Sequence, residues 1–114
     1  MKFKDGVYPE VVVFKNNRRV KLTTTPETNH AMQVADALSI SIAGKEAVCT
    51  AIFDGGHKIG SKHYEGDAFD LRTWKSLYNS NQLTNLIENL HRNLGVNYDV
   101  IQHQTHLHIE YDSK

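Results

Sequence analysis

Hydrophobic positions change their spacing several times along the chain, and each change marks an element. "YPEVVVFKNNRRVKL", residues 8–22, is an apolar run, a polar turn at Asn16 and Asn17 and a second short strand, which predicts a hairpin. "TTPETNHAMQVADALSISIAG" follows with Met32, Ala35, Leu38 and Ile42 on one stripe at helical spacing. Thr25 suits the cap, Pro26 the first helical position, Glu27 the first turn and Gly44 the stop. "EAVCTAIF" is a continuous apolar run and predicts a central strand. After the loop "DGGHKIGSKH", "DAFDLR" predicts a strand with Phe69 and Leu71 on one face and Ala68 and Asp70 on the other. Leu83, Leu86, Ile87, Leu90 and Leu94 return to helical spacing between a cap at Asn79 or Ser80 and a stop at Gly95. "YDVIQ" and "THLHIEYD" close the chain as two tightly joined strands. Clustered short strands and two separated helices favour an α+β domain, a mostly antiparallel sheet with about two packed helices. A doubly wound fold would need regular β-α alternation, which this order lacks.

Composition narrows the class without naming a chemistry. The 114 residues, 39% hydrophobic, suit a single domain over residues 1–114. Thirteen basic residues balance thirteen acidic ones, so the electrostatic footprint of a nucleic-acid binder is missing. The one cysteine, Cys49, excludes an intrachain disulfide and a cysteine-based zinc cluster, and reads as a small buried hydrophobe. "MKFKDGVYPE" lacks the apolar stretch of a signal peptide, and no apolar run is long enough to span a bilayer. The expectation is a monomer made in the cytoplasm, which another factor must deliver if it works outside. Histidine is the unusual count: seven, with His103, His106 and His108 inside six residues.

Strand geometry puts His106, His108 and Glu110 on one face of "THLHIEY", with Leu107, Ile109 and Tyr111 on the other. That polar face is either solvated or holds a pair of ligands. His63 and Asp70 lie up to about 25 Å apart if the chain between them is extended, so sharing a metal requires a return, which Gly66 makes cheap. Ala68 would leave room beside Asp70, and Phe69 and Leu71 would anchor the strand from behind. Two histidines and one carboxylate leave a zinc position open for water, as metal-assisted hydrolysis needs.

"S-K-H-Y-E-G-D-A-F-D" from Ser61 to Asp70 fits the pattern S-x-H-x-x-G-x-A-x-D, and "H-L-H" at 106–108 fits H-x-H near the C-terminus. The chain thus resembles the LAS zinc metallopeptidases, and within them the D-Ala-D-Ala carboxypeptidase and L-alanyl-D-glutamate endopeptidase branch, including small phage-encoded members. The resemblance covers about Thr24 to Asp112 and implies a hedgehog/D-Ala-D-Ala-peptidase-like fold. It implies Zn²⁺ on His63, Asp70 and His108, with His106 beside the metal as a catalytic proton carrier. It also implies a peptidoglycan stem peptide as substrate, and Ser61 near that substrate or in a structural hydrogen bond of the loop. Glu110 would orient His108 or be a solvated charge. Two departures stand out. Relatives often place a carboxylate just before the last histidine pair, whereas residues 102–105 hold none, which leaves His103 or His106 to take the proton. Relatives also often carry an arginine before the first motif; here Lys58, Lys62, Arg72 and His57 are the substitutes within reach. The expected function is a peptidoglycan peptidase, of a kind phages use in lysis or in crossing the wall. The alternative is a zinc-binding module, without catalysis, that recognises a peptide or cell-wall fragment. His30 and His91 fall in the helices and read as surface or structural residues.

Overall fold

In the computed structural model of the chain, residues 1–53 and 65–113 are described. Nine elements run in the order β1 (Lys2–Phe3), β2 (Glu10–Lys15), β3 (Arg18–Thr23), α1 (Pro26–Ala43), β4 (Val48–Ala51), β5 (Ala68–Arg72), α2 (Ser80–Leu94), β6 (Tyr98–Gln102) and β7 (His106–Tyr111). Five strands make one sheet in the order β1-β4-β5-β7-β6, and β2 and β3 pair as a separate hairpin. The fold is α+β, and its large sheet is antiparallel except at one edge. There β1 lies parallel to β4, with Lys2 opposite Val48 and Phe3 opposite Cys49. That two-residue edge strand has no counterpart in the sequence reading.

Both helices begin and end where local chemistry directs. The Thr25 hydroxyl accepts the Thr28 N–H at the start of α1, with Pro26 in the first turn, and Gly44 closes it in the left-handed conformation. At α2, Asn79 accepts from the Gln82 N–H while the Gln82 side chain accepts from the Asn79 N–H, a reciprocal capping box. α1 packs on α2 and β7, and α2 on β6, so the helices cover one face of the sheet. Phe69 and Leu71 of β5 and Leu107 and Ile109 of β7 point into that layer and are buried to 1% exposure or less. Each such side chain contributes roughly 1.5–3 kcal/mol by leaving water. Met32, Ala35, Leu86 and Leu90 meet them from the helices, and Cys49 is buried among them as a small hydrophobe. His30 and His91 are exposed on the helices, away from this core.

The opposite face of the sheet holds the polar residues. β5 and β7 pair with Ala68 opposite Glu110, Asp70 opposite His108 and Arg72 opposite His106. Residues directly opposite in an antiparallel pair share a face, so one register sets all six on the side away from the helices. Gly66, just before β5, has φ +76°. A Cβ there would lie 2.4 Å from the Thr23 carbonyl oxygen, so only glycine lets the two segments approach. The Gly66 carbonyl in turn accepts the Thr25 N–H at 3.1 Å, which ties the start of β5 to the cap of α1. No helix among the described residues is long and apolar enough to cross a membrane.

Candidate metal centre

His108 occupies the middle of the polar face with a carboxylate at each ring nitrogen. Its Nδ1 lies 3.1 Å from Asp70 Oδ1, and its Nε2 lies 2.7 Å from Glu110 Oε1. A neutral imidazole has one N–H, so it can donate to only one of these oxygens. The arrangement is satisfied in two ways: a second proton on the ring, or a cation between Nδ1 and Asp70 with Nε2–H donating to Glu110. In the absence of a cation the two carboxylates favour the first. Asp70 holds the His108 pKa above its ordinary value against the opposing effect of burial, and Glu110 adds to it.

The donor geometry also suits the second. Two ligands at zinc bond lengths of 2.0–2.1 Å in a tetrahedral site are about 3.3 Å apart. The 3.1 Å between Nδ1 and Oδ1 is close to that span. A zinc-bound histidine ordinarily donates its other N–H to a carboxylate, which is the place Glu110 occupies. Glu110 is therefore tied to the His108 ring by a hydrogen bond and not left as a solvated charge. Asp70 is 8% exposed, held from behind by Phe69 and Leu71, so its carboxylate is not free to swing into solvent.

The solvent side of the cluster belongs to His106. Its side chain is one-third exposed, its Nε2 lies 3.8 Å from Asp70 Oδ2, and its Nδ1 lies 3.3 Å from the Thr105 hydroxyl. The His103 ring stacks on it, with centroids 4.7 Å apart and planes inclined by 24°. The turn between β6 and β7 makes this contact, because the His103 N–H donates to the His106 carbonyl. Ala68 departs from expectation: it is fully buried, so its methyl is covered where open room was expected. The strand that carries it is buried from Ala68 to Leu71, and the accessible edge lies at His106 instead.

Of the residues singled out from sequence, Asp70, His103, His106, His108 and Glu110 come together. His63, the third expected ligand, and Ser61 lie outside the described residues, as do His57, Lys58 and Lys62. One group was missed. Asp99, Glu110 and Asp112 bring carboxylate oxygens within 4.8 Å of one another, a possible cation-binding triad. Asp99 joins it because β6 places it opposite Glu110, a pairing that strand periodicity alone does not disclose. An all-oxygen set suits calcium or magnesium, whereas imidazole suits zinc. Comparisons with protein-family models, curated proteins and solved structures returned no match to this chain.

Proposed function

We propose that this protein is a zinc-dependent peptidase of the LAS type, hydrolysing peptide bonds in bacterial peptidoglycan stem peptides. The observation that supports the reading most is His108, with Nδ1 turned to Asp70 and Nε2 fixed by Glu110. Asp70, His108 and His63 would hold the zinc, which when bound supplies a water acidic enough to attack near neutral pH. Glu110 accepts the Nε2 proton and so keeps the Nδ1 lone pair directed toward the Asp70 side. His106, at the exposed edge, takes a proton from the attacking water and returns one to the leaving amine. Its stacked neighbour His103 limits its rotation and offers a second imidazole for the exchange. Assistance of this kind is typically worth about 10²–10⁴ in rate. The bond cleaved is either the terminal D-Ala-D-Ala bond or the L-Ala-D-Glu bond, and a role in phage lysis or passage through the wall fits a small enzyme of this type.

A second reading is a zinc-binding module that recognises a peptide or cell-wall fragment without cleaving it. It is favoured by the sequence "QHQT" at 102–105, which offers no carboxylate as base. Metal analysis of the purified protein, combined with digestion of defined stem peptides, separates the readings. The peptidase requires about one zinc per chain, turnover, and a loss of about 10²-fold or more in His106→Ala with zinc retained. Zinc without turnover supports the binding module, and no zinc under saturating conditions removes both.

A further inference from the structure

The charge balance of the whole chain hides a segregation. Residues 10–23, the β2–β3 hairpin, hold Lys15, Arg18, Arg19 and Lys21 against one acidic residue, Glu10, for a formal charge of +3. The chain is neutral, so the remainder carries −3. Glu10 lies at the end away from the turn and pairs with Lys21 at 3.0 Å. Among the described residues Arg18 and Arg19 have no carboxylate partner.

The register gives the hairpin two unlike faces. Val11 opposite Leu22 and Val13 opposite Val20 make one, half-buried, and three of these side chains line a cavity with Gly6, Tyr8 and Phe53. The other face sets Val12 opposite Lys21 and Phe14 opposite Arg19. Val12 is 50% exposed and Phe14 78%, and both cations are exposed beside them. Single exposed apolar residues are ordinary on a protein surface. Here two share one face, about 6.6 Å apart along the strand, each with a cation directly across the ladder. Apolar contact and positive charge are thus offered together to one partner.

We propose that this outer face of the hairpin, Val12 and Phe14 with Arg19 and Lys21, is a docking surface for an anionic phospholipid bilayer. The proposal is independent of the peptidase reading. Phe14 and Val12 enter the boundary of the acyl chains, while Arg19 and Lys21 extend along their aliphatic stems to the lipid phosphates. The negative remainder is repelled by the same surface, so the hairpin leads the approach. A second copy of the chain would bring another +3 hairpin against the first. A nucleic acid would use the cations but find in Val12 neither a stacking face nor a hydrogen bond.

Co-sedimentation of the full chain with vesicles tests this. Retention should be about 10-fold or more higher on equal parts phosphatidylglycerol and phosphatidylcholine than on phosphatidylcholine alone. Each cation near such a surface is worth about fivefold, so Arg19→Gln with Lys21→Gln should lower retention about 20- to 30-fold. Phe14→Ser should lower it about 10-fold. Because Phe14→Ser could also loosen the hairpin, Phe14→Trp in a Trp74→Phe background supplies a second reading, Trp74 being the only native tryptophan. Its emission should shift to the blue on anionic vesicles and stay unchanged with inorganic polyphosphate. Equal retention on the two kinds of vesicle, or unshifted emission on the anionic ones, overturns the proposal. So does tighter binding to a single-stranded oligonucleotide than to vesicles, or a dimer of the chain that Phe14→Ser dissociates.

Discussion

A histidine between two carboxylates has two nitrogens with different duties, and Glu110 decides which is which. Its oxygen lies 2.7 Å from His108 Nε2, so the Nε2 proton is held there and Nδ1 faces Asp70. If zinc is bound at Nδ1 and Asp70, Glu110→Ala removes the orienting acceptor without removing a ligand. The expected result is a 10- to 100-fold loss of zinc affinity, measured by competition with a chromogenic chelator. The nearby acidic group makes the measurement discriminating. Asp99→Asn and Asp112→Asn alter the carboxylate triad while leaving His108 and Asp70 intact. These two variants should hold zinc nearly as the wild type does. Wild-type affinity in Glu110→Ala, or a large loss in Asp99→Asn, would place the zinc elsewhere.

Elements formed where short-range chemistry settles them. The turn at Asn16 and Asn17 has φ of +53° and +62°, the two-residue turn whose twist matches a hairpin. Left-handed backbone at a residue with a Cβ costs on the order of 1–2 kcal/mol, less for asparagine, and glycine avoids it. Asn17→Gly should therefore slow amide hydrogen exchange throughout β2 and β3, and Asn17→Ala should quicken it. Neither should alter exchange in the five-stranded sheet, because the hairpin forms a sheet of its own; a uniform change across both sheets would refute this separation. The same locality explains what could be read beforehand. Thr25, Asn79, Gly44 and Gly95 announce helix ends through hydrogen bonds only a few residues long. Alternation along "HLHIEY" likewise assigns the two faces of β7. What sequence could not disclose depended on partners remote in the chain. The parallel β1 strand has two residues and no periodicity, Asp99 meets Glu110 only through strand pairing, and the cover over Ala68 is set by the packed chain around it. His63 and Ser61, which the motif marks most clearly, lie outside the described residues, so of the expected zinc ligands the fold brings together Asp70 and His108.

Across the molecule, the layer of helices is joined to the segment after β5 by a buried polar chain. Ser39 of α1 donates its single hydroxyl proton to the Lys45 carbonyl at 2.6 Å. The Tyr78 hydroxyl, 2.7 Å from Ser39 Oγ, must then be the donor in that second bond. Tyr78 is 2% exposed, and burial raises its pKa above the ordinary value, with a further push from Asp36. In the unfolded chain a tyrosine ionises near pH 10. Between that pH and the higher folded value, the unfolded chain has lost a proton that the folded protein retains. Stability therefore falls as pH rises through this window, with a limiting slope of about 1.4 kcal/mol per pH unit from this residue. Tyr98 shifts in the same direction, again mainly through burial, and adds to the fall. Tyr78→Phe gives up one buried hydrogen bond and the titration together. It should cost about 1 kcal/mol at pH 7, where Ser39 still donates to Lys45 but loses its donor. Above pH 10 its stability should decline less steeply than that of the wild type, so the difference between the two narrows, with Tyr98 and the Met1 ammonium contributing to the slope that remains. Urea denaturation at half-unit steps from pH 8 to 11 measures both curves, and parallel curves over that range would exclude Tyr78 as the group responsible.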